Sequence, residues 1–136
     1  MDATIVAICR PSHNQRIAYN GYYRTHAMKF GCIITPDGII SHCSPPFEGR
    51  KGDGAIVVDS GIVPLLSEHA HDAAGRRLVV YGDPAYGENE LIVSGLKQLE
   101  TLTSQEQDFN REMSRYRQSV EWGFGKVRLY FNLALV

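Results

Sequence analysis

Apolar residues in the first third of the chain come in short β-branched runs separated by turn-forming residues. Thr4 to Cys9 (TIVAIC) is apolar almost throughout, the pattern of a buried strand. Arg10-Pro11-Ser12-His13-Asn14 breaks that run as a loop. Tyr22 to Thr35 contains a second β-prone run, Met28-Lys29-Phe30-Gly31-Cys32-Ile33-Ile34. Pro36-Asp37-Gly38 follows as a turn, with Pro at its entry and Gly free to take a positive φ. Ile39 to Cys43 then resumes the β pattern, so residues 2–47 read as three consecutive antiparallel strands.

The second half alternates. Ala55 to Leu66 (AIVVDSGIVPLL) reads as a helix with an irregular end, because Gly61 and Pro64 interrupt it. Leu78-Val79-Val80-Tyr81 is a wholly apolar run ending in Gly82-Asp83-Pro84, as expected of a parallel strand buried on both faces. Glu88 to Leu96 reads as a short helix. Thr103-Ser104-Gln105-Glu106 is a capping box. Behind it Phe109, Met113, Tyr116, Val120, Phe124 and Val127 recur at steps of three and four, one apolar face of a long helix that Gly123 and Gly125 are expected to bend or interrupt. The order βββ, α, β, α, α predicts an α/β fold: a mixed sheet, three antiparallel strands then a parallel one, with helices packed on it.

Composition narrows the function classes. The chain has 136 residues, 43% hydrophobic and 21% charged, and a net charge of −1. These values suit a globular domain and exclude nucleic-acid binding by bulk charge alone. No apolar run approaches the roughly 20 residues of a bilayer span, and the N-terminus lacks the regions of a signal peptide. Cys9, Cys32 and Cys43 are odd in number and lack zinc-site spacing, so a disulfide scaffold is disfavoured and packing as small apolar residues is expected.

Carboxylates are the candidate chemistry. Asp83 follows the end of a buried strand, where sites form in open α/β sheets, although an Asp there also caps turns. Glu121 lies on the long helix in a polar stripe, Asn110, Ser114, Arg117 and Glu121, beside the apolar one. Its bland reading is a solvated Arg117–Glu121 pair. Asp2 opens the first strand and says little alone. If that strand is central, Asp2, Asp83 and Glu121 converge on one groove. Convergent carboxylates stay ionised only around a cation, and hard oxygen ligands select Mg²⁺ or Mn²⁺. Two such ions serve in-line phosphodiester chemistry.

These residues sit in segments that resemble the DDE superfamily endonucleases, the transposase domain of PIF/Harbinger-type DNA transposons and genes derived from them. The resemblance is carried by Met1-Asp2-Ala3-Thr4, Cys9-Arg10-Pro11, Tyr19 to Phe30 (YNGYYRTHAMKF), Pro36-Asp37-Gly38, Gly49-Arg50 and Asp53. It continues through Ser60-Gly61, Tyr81 to Tyr86 (YGDPAY), Phe109-Asn110, Ser114 to Arg117 and Val120 to Gly125 (VEWGFG). It implies an RNase H-like fold in which Asp2, Asp83 and Glu121 are the catalytic, metal-binding triad for DNA nicking and strand transfer. Asp53 would be an accessory metal ligand or a helix cap, with Gly52 standing where the family often has His. Arg117 would hold Glu121 or meet a phosphate. Transposon ends and target DNA are the implied partners, with a separate DNA-binding protein or a second copy as further ones and the nucleus as location. Family chains usually carry an upstream helix-turn-helix segment. The expectation here is therefore one catalytic domain over residues 1–136, truncated at its N-terminus.

Other signals point elsewhere. Gly49 to Gly54 lacks the Gly-Lys-Ser/Thr ending of a phosphate loop. His69-Ala70-His71-Asp72 reads as a solvated connection rather than a metal site. Trp122 reads as core rather than a base-stacking platform. Arg111, Arg115, Arg117, Lys126 and Arg128 bias the last helix positive, so Arg115, Arg117 and Lys126 are DNA-binding candidates. Two competing readings stand beside the endonuclease. One is a domesticated or truncated non-catalytic remnant that binds DNA or a protein partner. The other is an RNase H-like nuclease acting on RNA–DNA hybrids, which the VEWGFG stretch disfavours.

Overall fold

A computed structural model describes residues 1–87, 90–96 and 102–131. Its long strand, β3 (Thr25–Ile34), is the axis of a five-stranded antiparallel sheet. β1 (Asp2–Ala7) pairs with it through six residues, from Asp2 opposite Cys32 to Ala7 opposite Ala27. β2 (Tyr19–Asn20), β4 (Ile40–Cys43) and β5 (Phe47–Glu48) also pair with β3. The β1, β3, β4 antiparallel set is the one the sequence pattern predicts. The short pieces α1 (Gln15–Ala18), β2 and β5 are additional. Tyr22 and Tyr23 lie in the β2–β3 turn instead of the strand, because the buried Asn20 carboxamide accepts from both of their backbone N–H groups.

β6 (Val80–Gly82) and β7 (Ile92–Ser94) form a separate parallel pair. Two expectations are corrected here. The segment read as a helix contains strand β7, whose β-branched Ile92 and Val93 pair with Val80 and Tyr81; Glu88, Asn89 and residues 97–101 lie outside the described residues. Leu78 and Val79 precede β6 and are half exposed, so the apolar run is not buried on both faces. The Met1 nitrogen donates to the Tyr81 carbonyl at 2.7 Å and ties the start of β1 to β6. That bond brings Asp2 beside the segment leading into Asp83.

The predicted helix of residues 55–66 is two helices, α2 (Asp53–Asp59) and α3 (Ile62–His69). Gly61 breaks them at φ 69°, and Pro64 falls in the first turn of α3, where a missing N–H costs nothing. α4 (Ser104–Tyr130) starts with the expected capping box, Thr103 with Glu106. It runs unbroken through Gly123 and Gly125, against expectation. Gly123 is there because α4 crosses β3 closely: a Cβ at that position would sit 2.3 Å from Ile34 Cδ1. The core gathers Met1, Val57, Ile62, Tyr86 and Ile92, with Ile33, Leu66 and Val80 packed against it. Cys32 and Cys43 face each other across β3 and β4 and are joined as a disulfide, which corrects the expectation of separate small residues; Cys9 is free and exposed. The fold is mixed α/β, and no helix among the described residues is long and apolar enough to cross a membrane.

Candidate functional site

One groove of about 1160 Å³ is lined by Asp2, Asp53, Asp83 and Glu121 together with Lys29 and Arg128. Four separate elements deliver the four carboxylates. Asp2 comes from β1, Asp53 from the first turn of α2, Asp83 from the turn after β6, and Glu121 from the middle of α4. All the carboxylates singled out in the sequence therefore reach one surface. Register decides this for Asp2, since a one-residue slip of β1 on β3 would turn it to the other face.

Asp83 does two things at once. Its Oδ1 accepts from the Ala85 N–H at 2.9 Å and caps the 3₁₀ turn Pro84–Tyr86, which is the bland reading of this residue. Its Oδ2 accepts from the Arg117 guanidinium at 2.9 Å. The expected Arg117–Glu121 pair is the weaker contact, at 4.0 Å. Burial works against the charge on Arg117. The hydrogen bond to Asp83 and the charges of Asp2, Asp83 and Glu121 outweigh it and hold the guanidinium pKa above its ordinary value. Arg117 is thus the cation whose charge Asp2, Asp83 and Glu121 share.

Asp2 is held differently. Burial pushes its carboxyl pKa up and the charge of Asp83 adds to that rise; the Ala3 N–H, 2.8 Å from Oδ1, and the charge of Arg117 oppose it. Asp53 is the first residue of α2 and not its cap, which is Gly52. Its Oδ1 meets the Lys29 ammonium at 2.5 Å. Lys29 went unnoticed in the sequence because alternation shows only that it shares a strand with apolar neighbours. Only the fold sets it against Asp53.

Of the DNA-binding candidates, Arg117 alone touches the carboxylates. Arg115 and Lys126 are exposed on α4 and do not line the groove. Arg128 does line it, and its guanidinium donates to Thr4 Oγ1 at 2.7 Å. Asn110, in the same polar stripe, bonds the backbone of Leu96 through both ends of its amide and so is a structural clamp. Trp122 is 68% exposed, which corrects its reading as core. In the His69–Asp72 segment, Asp72 is taken by Arg76 at 2.7 Å, in keeping with a solvated connection.

Among the described residues no three His, Cys, Asp or Glu side chains stand close enough to share one metal ion. The donor set nevertheless fits a hard divalent ion: only carboxylate oxygens, from four elements, on one groove. The hydroxyl of Tyr86 is buried with no hydrogen-bond partner among the described residues.

The family model described as DDE superfamily endonuclease matches residues 1–134. No curated protein and no solved structure matches the chain.

Proposed function

The chain belongs to the DDE superfamily endonucleases, and from that premise we propose a metal-dependent DNA nuclease of the transposase type. Its family implies nuclease action on DNA. The finer reading is ours: Asp2, Asp83 and Glu121 are the catalytic and metal-holding triad, Asp53 is an accessory ligand, and the reaction is phosphodiester hydrolysis followed by strand transfer. One observation carries it, the convergence of these four carboxylates from four elements on one groove.

Bound Mg²⁺ or Mn²⁺ would activate the attacking oxygen and stabilise the leaving one. The chain's own residues do the rest. Asp2 offers a carboxylate whose burial disfavours its bare charge and so favours a cation beside it. Asp83 is fixed through Oδ1 by its turn, its Oδ2 accepts from Arg117, and its carboxylate would be one of the groups to hold the ion. Arg128, which lines the groove, and Arg117, which bonds Asp83 at its edge from the same side of α4, would meet the backbone phosphates of a strand in the groove. An RNase H-like topology, a PIF/Harbinger-type origin and a nuclear location belong to the same proposal. So do transposon-end and target DNA, a separate DNA-binding protein and self-association as partners. The start of β1 tied to β6 supports that topology, because it sets β1 between β3 and the parallel pair.

A nicking assay on supercoiled DNA with Mg²⁺ or Mn²⁺ tests the proposal. The parent is expected to nick. Asp83→Asn and Glu121→Gln are each expected to lose at least about a hundredfold while remaining folded. Retained cleavage in either variant would remove that residue from the triad. A second reading, a non-catalytic remnant that binds DNA or a protein, draws on the absence of a three-acid cluster among the described residues. Melting with and without Mn²⁺ separates the two: an ion that binds only the folded chain raises the melting temperature, and a remnant shows no shift.

A further inference from the structure

The stretch from Tyr19 to Phe30 is the longest piece of the family resemblance, yet the carboxylates take only Lys29 from it. Two of its tyrosines also line the groove. Tyr22 and Tyr23 share that lining with Asp2, Asp53, Asp83 and Glu121, and they are 87% and 60% exposed. A single exposed tyrosine is ordinary on a protein surface. Two adjacent ones, edge to face with ring centroids 4.8 Å apart, make a continuous aromatic surface that the core does not use.

The loop beneath them is held in place. Residues 21–24 join β2 to β3 where Asn20 pairs with Thr25. The Asn20 carboxamide accepts from the N–H groups of Tyr22 and Tyr23 at 3.1 and 3.0 Å, and it donates to the Gly49 carbonyl at 2.7 Å. The loop closes with Arg24 at φ 53°, a left-handed conformation that a long side chain rarely adopts. The fold thus bears backbone strain to keep a loop whose two rings face solvent in the groove.

A polynucleotide strand carries the two chemistries this groove offers to meet. Arg128 suits a backbone phosphate, and exposed aromatic rings suit the faces of bases. Bases inside a duplex are stacked on one another and leave no free face, so only an unpaired base can use such rings. We infer that Tyr22 and Tyr23 form a stacking platform for an unpaired base of the DNA strand in the groove. It rests on the nuclease reading above and names the substrate of that site more closely: DNA that is single-stranded or locally unpaired beside the carboxylates. Every base has a π-face, so the platform selects an unpaired strand and not a sequence.

The test is fluorescence anisotropy on the full chain in metal-free buffer, with two labelled single strands of equal length, one of thymidylates and one of abasic deoxyribose phosphates. The parent is expected to bind the thymidylate strand about tenfold more tightly than the abasic one. Tyr22→Ala with Tyr23→Ala should lose that margin and keep the affinity for the abasic strand. Tyr22→Phe with Tyr23→Phe should retain the margin, because phenylalanine keeps the ring face. Equal affinity of the parent for the two strands would overturn the inference, and that comparison needs no variant to fold. An undiminished margin in the double alanine variant would overturn it too, and is the result expected of rings that dock a protein. So would a phenylalanine variant as weak as the alanine one. Nicking of supercoiled DNA by the parent in Mn²⁺, run alongside, separates the platform from the reading beneath it. Nicking without the margin overturns the platform alone, and a parent that neither nicks nor binds either strand overturns both.

Discussion

The groove has two walls built by different means. One wall is the antiparallel sheet, which supplies Asp2 from β1 and, through Lys29 of β3, holds Asp53. The other is the turn after β6 with helix α4, which supplies Asp83 and Glu121 and holds them with Arg117. Each wall carries its own cation on one of its own carboxylates. On the sheet wall, position comes from a six-residue backbone register. On the other wall, three-residue strands leave more of the placement to side chains: an Asp83 cap, an Arg117 bond and the close crossing of α4 at Gly123. The four carboxylates of one groove are thus held by different means on its two sides.

The largest effect expected is on the sheet wall. A Cβ at Gly49 would lie 2.6 Å from the carbonyl oxygens of both Ala18 and Ala27, backbone atoms that cannot step aside. Gly49→Ala should cost about 3 kcal/mol, read as a lower urea midpoint, with Asp2 and Asp53 displaced together. On the helix wall the matching change is milder. Gly123→Ala meets only the end of the Ile34 side chain. Overpacking of about 1–3 kcal/mol is partly offset by the roughly 1 kcal/mol that alanine adds to a helix, for a net loss of about 1 kcal/mol. Adding Ile34→Val removes the obstructing Cδ1, so the double variant should recover the loss in the same urea titration. If Gly123→Ala proved stabilising without it, α4 would not cross β3 as closely as described.

Smaller still are the charge changes, and they should differ in sign between the walls. Asp83→Asn weakens a partly exposed ion pair and should cost about 0.5–1 kcal/mol in the metal-free chain. Asp2→Asn should instead stabilise it by about a few tenths of a kcal/mol near neutral pH. The folded chain holds the Asp2 proton more tightly than the unfolded chain, because burial raises that pKa. The stability linked to it is therefore complete at low pH and fades as pH rises through the carboxylate range. The gain from Asp2→Asn should accordingly grow between about pH 4 and pH 7 in metal-free melts and shrink when Mn²⁺ is present. Equal effects of the two substitutions would show that the walls do not differ in the way their charges are held.

The sequence by itself determined the antiparallel strands, the Pro-Asp-Gly turn and the capped long helix, because each follows from local periodicity and turn chemistry. Its segments also pointed to the family that the match over residues 1–134 shows. They pointed to Asp2, Asp53, Asp83 and Glu121 as well, all of which line one groove. The local pattern misread residues 92–94 as helical, since a three-residue strand is too short for a period and is fixed only by pairing with β6. It misjudged Gly123 for a similar reason: the helix-weakening glycine answers to Ile34, nearly ninety positions away along the chain. Lys29 and Arg128 acquired partners only through tertiary structure. A lysine on a strand and an arginine on a helix are ordinary residues until folding sets them against groups from other elements. Charge and hydrogen-bonding partners are properties of distance in space, and the spacing of residues along the chain does not contain that distance.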